Sequence, residues 1–271
     1  MSYQDRGHYY VNGVLTDHMT KAKCRDAGGI PSVTTKIDSW TDSGLVFWKI
    51  RENIDAAYRV IDSGIGVSAE DFRKLVADEF YRVHNELFLG SYIHDILDKL
   101  IKNGVENRLF MSFYKEYADR QITDLFESVQ MAYEWYREHV DQAKTEQVLY
   151  DQELRISGTC DVNGMIISPD GTKVPGGVDW KCSYVKKHPG YKKADGTMKS
   201  FGFSKSVDYS MQLGAYGRVC GWKGAYIVKV STNPLIPGVQ ALWYDQEELL
   251  KGYKIYGHVA RAYDLINGYI K

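Results

Sequence analysis

Two acidic residues and a lysine in the second half of the chain have the types and spacing that phosphodiester chemistry needs. Asp179 and Lys181 end an apolar run, and Asp161 ends the upstream segment Ser-Gly-Thr-Cys-Asp. Alternate side chains of a strand share a face, so Asp179 and Lys181 point to one side and Trp180 to the other. Carboxylates bind hard divalent cations, and an ammonium group can orient a water or offset developing negative charge. The pattern predicts a metal-assisted hydrolytic site, and a salt bridge at a strand end is the simpler alternative.

Two helical segments carry polar side chains suited to the same site. Gln212 and Tyr216 are four residues apart on a predicted helix, so they share one face. Packing of Tyr216 in the core, with Gln212 capping a neighbour, is the alternative. His94 follows Gly90-Ser91, where a helix is predicted to start, and its apolar neighbours indicate an inward position. Imidazole is an acceptable ligand for manganese, although a single histidine is more often structural.

Two glutamates precede Asp161 on the predicted strands. Glu146 and Glu153 could each add a carboxylate to a metal site, and Glu153 is the preferred candidate. Solvent-exposed strand glutamates are the alternative.

The composition is that of a globular protein without a global preference for nucleic acid. The chain has 271 residues, 44% hydrophobic and 25% charged, with a formal net charge of −1. No apolar run reaches the length of a membrane span and the first ten residues lack a signal-peptide apolar region, so we expect a cytoplasmic protein with no membrane partner. The four cysteines lack zinc-like spacing and are predicted to be buried free thiols. Alternation directs Cys160 and Cys182 away from the site.

A basic segment follows the Asp-x-Lys pattern. Seven lysines and one acid, Asp195, lie between residues 181 and 205, and the segment is rich in glycine. We expect a loop that binds phosphate, and a solvated basic loop is the alternative. The candidate DNA-binding lysines are Lys186, Lys187, Lys192 and Lys193.

The spacing of apolar residues changes from helical to strand-like near residue 146, which divides the chain into two parts. Residues 1–145 are predicted to be mostly helical after an irregular or hairpin lead-in, with helix starts at residues 32–34, 68 and 91 and a long helix over 122–144. Residues 146–271 predict short strands at 147–150, 153–156, 161–167 and 174–181, with a hairpin turn at Asp170-Gly171. A helix over 206–220, strands at 224–230 and 239–244 and a closing helix over 245–270 complete the pattern. The order predicts an α/β fold in one compact domain, in which the helical part covers a mixed central sheet flanked by helices.

Taken in chain order, these blocks resemble the PD-(D/E)XK nuclease superfamily in its RecB-like branch. The resemblance is carried by the segments Gly90–His94, Gly158–Asp161, Val178–Lys181 and Gln212–Tyr216. Within the branch, Pro31–Thr34 and Asp179–Ser183 are similar to the mitochondrial genome maintenance exonuclease and its phage-encoded relatives. The resemblance implies a restriction-endonuclease-like fold with a helical N-terminal elaboration.

The resemblance also implies roles for single residues. Asp161, Asp179 and the backbone carbonyl of Trp180 would hold Mg²⁺ or Mn²⁺ together with His94. Lys181 would assist the attacking water, with Gln212 and Tyr216 supporting the lysine and the scissile phosphate. Ser32 and Ser183 would contact DNA.

The sequence therefore predicts a metal-dependent DNA exonuclease acting on single strands or free ends, in phage-type replication, recombination or DNA processing. The expected partners are DNA and a single-strand-binding or recombination protein, in a host cytoplasm if the chain is phage-encoded. A catalytically silent nuclease fold that binds nucleic acid or serves assembly is the alternative. Polarity, the choice between DNA and RNA, the exonuclease or endonuclease mode, the oligomeric state and the choice between Mg²⁺ and Mn²⁺ stay open.

Overall fold

The fold is mixed α/β, built on a five-stranded mixed sheet with helices on both faces. It comes from a computed structural model that describes residues 8–16, 19–41, 86–103, 125–183, 205–233 and 235–270, with isolated residues at 57, 61, 68, 71–72, 75, 191–192 and 198–199. In these ranges, no helix combines the length and apolarity needed to cross a membrane.

Within its described ranges, the N-terminal half supplies a small sheet and four helices. The turn Asn12-Gly13, in which both residues have positive φ, joins the first two strands. Ser32 caps the second helix by accepting a hydrogen bond from the Thr35 N–H at 3.1 Å. In chain order the elements are β1 (Tyr9–Val11), β2 (Val14–Thr16), α1 (Lys21–Asp26), β3 (Ile30–Pro31), α2 (Val33–Thr41), α3 (Glu86–Asn103) and α4 (Phe126–His139).

The C-terminal half supplies the central sheet and the two helices that close it. Asp245 begins the last helix with a capping box, in which its side chain and that of Glu248 each accept the other's backbone N–H. In chain order the elements are β4 (Val140–Asp151), β5 (Ile156–Ile167), β6 (Lys173–Ser183), β7 (Tyr191–Lys192), β8 (Met198–Lys199), α5 (Val207–Cys220), β9 (Gly224–Ser231), β10 (Val239–Asp245) and α6 (Gln246–Ile266).

The central sheet has the strand order β10-β9-β6-β5-β4. The pair β6–β9 is parallel and the other three pairs are antiparallel. One face packs against α2, α5 and α6, through residues such as Ile227 and Met211. The other packs against α3 and α4, through residues such as Trp180 and Leu97. Both faces are thus buried, as expected for a sheet that contains a parallel pair.

Several predicted elements are confirmed in the described ranges. These include the hairpin turn at Asp170-Gly171, where Gly171 has a φ of +84°, and the helix that begins after Ser206. Ser68 accepts a hydrogen bond from the Asp71 N–H, as a helix cap does. The helix predicted to start at residues 32–34 is present as α2, and residues 42–56 lie outside the described ranges.

Three predicted boundaries are wrong. Helix α3 starts at Glu86 and runs through Gly90, so Ser91 lies inside the helix and does not cap it. Helix α4 ends at His139, and β4 takes over at Val140 because this stretch pairs with β5. Residues 152–155, predicted to open a strand, form the turn between β4 and β5.

The regular alternation of β5 is broken at Asp161. Cys160 belongs to the core under α5, whereas Val162, two residues on, belongs to the core under α3. Strand β5 pairs with β6 only from Val162, opposite Val178, onward. Before that point the two strands diverge, which opens a gap at Asp161.

Candidate active site

An open cavity of about 600 Å³ lies where β5 and β6 diverge. Its lining comes from the small N-terminal sheet, the start of α2, the strands β4 to β6, and the helices α3 and α5. The predicted site residues that line it are His94, Asp161, Asp179, Lys181, Gln212, Tyr216 and Ser32. The structure therefore brings these side chains together from five separate elements.

Asp161 is held by the backbone of the neighbouring strand. Its Oδ2 accepts a hydrogen bond from the Trp180 N–H at 2.7 Å. The N–H and C=O of one strand residue face the same neighbour, so the Trp180 carbonyl also points into the gap beside Asp161. The Trp180 ring is 2% exposed and packs in the core on the α3 side. Strand alternation predicted the core position of the ring.

Asp179 is buried between an ammonium group and an amide. Gln212 Nε2 donates to Asp179 Oδ1 at 2.8 Å, and Lys181 Nζ lies 2.7 Å from Oδ2. Oδ2 is buried, and its partner is the Lys181 ammonium, which pairs with its charge and hydrogen-bonds to it. Burial raises the pKa of Asp179 against the opposing effect of Lys181. Burial disfavours the ammonium of Lys181, but Asp179 and Asp161 outweigh it and raise its pKa.

His94, Glu146 and Asp161 form a cluster in which one possible ligand atom from each lies within 4.8 Å of the others. His94 Nδ1 is 3.5 Å from Asp161 Oδ2. Burial opposes the charge on His94, but hydrogen bonds and charge at Asp161 and Cys182 outweigh it and raise its pKa to about 11. Glu146 is exposed overall, but desolvation of its carboxyl where it lines the cavity, with a further contribution from Asp161, raises its pKa to about 7. Without a bound cation, the cluster therefore retains protons.

Glu146 reaches this position because of the strand register. Its neighbours Thr145 and Gln147 pair with Val162 and Cys160, which flank Asp161, so Glu146 lies opposite Asp161. Glu146 has a φ of +48°, a conformation uncommon for a residue with a side chain. Such strain persists where the surrounding structure imposes it, often at functional sites.

The structure brings Glu146, and not the preferred Glu153, beside Asp161. Glu153 is exposed in the β4–β5 turn and is not among the described residues that line the cavity. The turn lies at the far end of the hairpin from the register position opposite Asp161. A turn at residues 152–155 sets the β4–β5 register that places Glu146 opposite Asp161. The sequence pattern predicted a strand at 153–156 in place of this turn, so it did not give that register.

Tyr216 closes the floor of the cavity. The residue is 2% exposed, and its hydroxyl would lie 2.5 Å from a Cβ added at Gly158. Only glycine leaves room for the phenol at this point. Burial raises the pKa of Tyr216 well above its usual value, so the phenol stays protonated and can donate a hydrogen bond.

Hydroxyl groups line the wall opposite the carboxylates. Tyr10 and Thr159 share a hydrogen bond of 3.0 Å between their side chains. Ser32 Oγ lies 3.0 Å from Thr34 Oγ1, and both residues line the cavity. The sequence singled out Ser32 but gave no signal for Tyr10 or Thr159, which come close only through tertiary packing.

The other predicted DNA contacts lie away from the cavity or outside the described residues. Ser183 ends β6, where its carbonyl accepts the Thr232 N–H, and it is not among the described lining residues. Lys192 belongs to β7 by its backbone, and Lys186, Lys187 and Lys193 lie outside the described ranges. Cys160 is a buried free thiol, whereas Cys182 is half-buried and influences the pKa of His94. As predicted, Cys182 packs in the core on the α3 side, on the face of β6 opposite Asp179 and Lys181, and from there its thiol reaches His94.

The donors present fit a hard divalent cation. Carboxylates and an imidazole are ligands that Mg²⁺ or Mn²⁺ accepts, with the imidazole favouring manganese. The oxygens of Asp179 are paired with Gln212 and Lys181, whereas the nearby cluster of His94, Glu146 and Asp161 binds excess protons that a cation would displace.

Comparisons with known proteins leave the family unassigned. No family model matches the chain, and no match is found among the curated proteins.

Proposed function

We propose that this chain is a metal-dependent nuclease that hydrolyses phosphodiester bonds of DNA, with a restriction-endonuclease-like fold of the PD-(D/E)XK type. The observation that carries the proposal is the meeting of Asp161, Asp179 and Lys181 with the His94–Glu146 pair in one open cavity. A surface salt bridge would need only the first three residues. The two further ligand groups support a cation site.

Asp161, Asp179, His94 and Glu146 would hold the cation, with the Trp180 carbonyl facing the same gap. When bound, Mg²⁺ or Mn²⁺ polarises a phosphoryl oxygen and makes a nucleophilic water available near neutral pH. Asp161 is oriented for this role by the Trp180 N–H, and Asp179 by the Gln212 amide.

Lys181 would act on the phosphate itself. Its ammonium is charged and lies beside Asp179, so it can orient water and offset the negative charge that develops on phosphorus oxygens. Tyr216 can donate a hydrogen bond from the cavity floor. Together these groups place positive charge and donors where the transition state gains negative charge.

Action on strand ends is supported by the size of the cavity. A volume of about 600 Å³ suits a nucleotide-sized group. Ser32 and Thr34 line the same cavity, where their hydroxyls can hydrogen-bond to a nucleotide. An exonuclease acting on single strands or free ends fits this shape.

The test uses end-labelled linear single-stranded DNA, linear duplex DNA and circular single-stranded DNA, incubated with Mg²⁺, Mn²⁺ or EDTA. We expect nucleotide release from linear strands with either cation, and none with EDTA. Lys181→Ala should reduce the rate by about 10²–10³-fold, as loss of a transition-state contact does.

Lys173→Ala is the matched control, because Lys173 is an exposed lysine on the same strand and pairs with Asp141. It should cut at the parent rate, and thermal melting would show that Lys181→Ala is folded. Unimpaired cleavage by Lys181→Ala, or undiminished cleavage in EDTA, would contradict the proposed site. Cutting of circles would retain the nuclease and remove the exonuclease mode. Binding of DNA without cleavage under any condition would support a catalytically silent fold.

A further inference from the structure

A row of polar residues continues from Lys181 across the sheet, away from the cavity. Strands β6 and β9 run parallel, and Lys181 pairs directly with Lys229 in their register. Strand β10 then pairs Gln240 with Lys229. Neighbouring strands are about 4.8 Å apart, so the three residues form a continuous line across three strands.

The row faces the same side of the sheet as the catalytic groups. Ile227, two residues before Lys229, lies in the core under α5 and α6. Leu242, two residues after Gln240, packs against the same core. Because alternate residues of a strand share a face, Lys229 and Gln240 point to the side that Asp179 and Lys181 occupy.

The row also lies at the edge of the sheet where ligands bind in folds with parallel strands. Lys181 and Lys229 are each two residues from the C-terminal ends of their strands, at Ser183 and Ser231. In open α/β sheets, ligands bind outside the carboxyl ends of such strands.

The chemistry of the row suits an anionic group. Lys229 is half-buried, and burial lowers its pKa. Gln240 Oε1 is a buried acceptor with no hydrogen-bond partner in the described ranges, so it offers nothing to a phosphate oxygen. Lys229 is therefore the group of the row that can bind an anion.

We propose that Lys229 binds a non-scissile phosphate of the nucleic-acid strand whose scissile phosphate lies at Lys181. The inference rests on the proposed nuclease function, because it takes the position of the strand from Lys181. The nucleic-acid strand then runs across the carboxyl ends of β6 and β9, toward β10. Lys229 is then a binding residue, outside the catalytic group.

The test measures the binding of a fluorescein-labelled oligothymidylate by anisotropy, in EDTA and over a series of salt concentrations. Lys229→Met should raise the Kd about tenfold. It should also reduce the slope of log Kd against log salt by about 1, as loss of one lysine–phosphate contact does. Lys229→Arg, which keeps the charge, should bind as the parent does.

Lys223→Met is the matched control. Lys223 is exposed and directly precedes β9, at the end of the strand opposite Lys229. The control should leave the Kd and the salt slope unchanged, and thermal melting of each variant shows whether it is folded.

The outcomes separate this inference from the proposed function. If the parent cuts DNA with Mg²⁺ while folded Lys229→Met keeps the parent Kd and salt slope, only the proposed phosphate contact of Lys229 is overturned. An equal loss of binding in Lys223→Met also overturns that contact. If Lys229→Met alone loses binding but the parent cuts no substrate, Lys229 binds nucleic acid, and the proposed nuclease fails together with the scissile phosphate at Lys181. A parent that binds no oligonucleotide in EDTA overturns the proposed contact of Lys229, and the cleavage assay with Mg²⁺ decides the nuclease separately.

Discussion

At the scale of single residues, the site depends on carboxylates that the strand pairing holds closer together than their charges favour. Glu146 lies opposite Asp161, and desolvation of its carboxyl together with that neighbour raises the pKa of Glu146 to about 7. The folded protein therefore binds a proton here that the unfolded chain releases near the ordinary value of 4.5. This proton stabilises the fold at low pH, and its contribution is lost as the pH rises from about 4.5 to 7.

A cation must displace that proton, which gives a test of Glu146. Metal ligands bind in their deprotonated forms, so below about pH 7 Mn²⁺ has to displace protons from both Glu146 and His94. Above that pH only the His94 proton remains. We expect the pH dependence of Mn²⁺ affinity to be steeper below pH 7 than above it. Glu146→Gln should bind Mn²⁺ more weakly and lose the steeper part.

Electron paramagnetic resonance of free Mn²⁺ in titrations between pH 5.5 and 8.5 would measure the affinity. Glu153→Gln is the control, because Glu153 is exposed in the β4–β5 turn, and it should follow the parent curve. If Glu153→Gln loses the steeper part and Glu146→Gln keeps it, the assignment of the third carboxylate is reversed.

The types and spacing of the residues were sufficient to single out most of the cavity's polar groups. Asp179 and Lys181 share a face because strand alternation requires it, and Gln212 follows from the helix after Ser206. Glu146 could not be chosen over Glu153, because that choice depends on the register between two strands. The contacts of Tyr10 and Thr159 depend on packing between segments far apart in the chain.

At the scale of elements, α5 is positioned by a close crossing with α6. A Cβ added at Gly252 would lie 1.9 Å from the Ser210 carbonyl oxygen, and one at Gly214 would lie 2.4 Å from the Tyr253 nitrogen. The two helices thus pack backbone against backbone. Since α5 carries Gln212 and Tyr216, this crossing sets how closely they approach the strands.

Two glycines of the same helix allow a matched test of the crossing. Gly252→Ala should destabilise the protein by about 1–3 kcal/mol, because overpacking forces the backbones apart. Gly257→Ala, on the exposed face of α6 with no atom within 4 Å of the added Cβ, should stabilise it by about 0.5–1 kcal/mol. Urea unfolding followed by tryptophan fluorescence would measure both changes. Equal effects of the two substitutions would show that the close crossing does not limit stability.

The boundary between α4 and β4 shows which element features the sequence did not carry. The helix was predicted to continue to Lys144, because the polar residues after His139 give no alternation of apolar side chains. Pairing with β5 makes this stretch a strand, with a shift of register between Asp141 and Lys144 and a positive φ at Gln142. Long-range pairing therefore overrides the local pattern here, whereas β6 and β9 carry apolar runs typical of buried strands.

At the scale of the whole molecule, a buried ionic cluster joins the beginning of the chain to its end. Lys36 in α2 is fully buried, and its Nζ lies 3.2 Å from Asp264 Oδ2 in α6. Arg155, from the β4–β5 turn, lies 2.8 Å from the same oxygen. The Lys36 ammonium also donates to the Arg155 carbonyl at 3.0 Å. The cluster thus fixes α2, whose first residues line the cavity, against α6 and the central sheet.

The cluster predicts an unusual dependence of stability on alkaline pH. Burial lowers the pKa of Lys36 from 10.5 to about 8, although Asp264 opposes the shift. Between these values the unfolded chain holds a proton that the folded protein has lost, so this group favours folding more strongly as the pH rises. Lys36→Met removes the titrating group. We therefore expect the unfolding free energy of the parent, relative to Lys36→Met, to rise by about 3 kcal/mol between pH 8 and 10.5.

Urea unfolding at half-unit intervals from pH 7 to 10.5 would measure this difference, which cancels the titration of all other groups to first order. Lys254→Met, an exposed position of α6, is the control and should run parallel to the parent throughout. If the parent and Lys36→Met curves run parallel, burial does not lower the pKa of Lys36 in the folded protein. If the unfolding free energy of the parent relative to Lys36→Met falls as the pH rises, Asp264 and the Arg155 carbonyl stabilise the charged lysine by more than burial disfavours it. The ionic cluster would then contribute a net electrostatic attraction between α2 and α6.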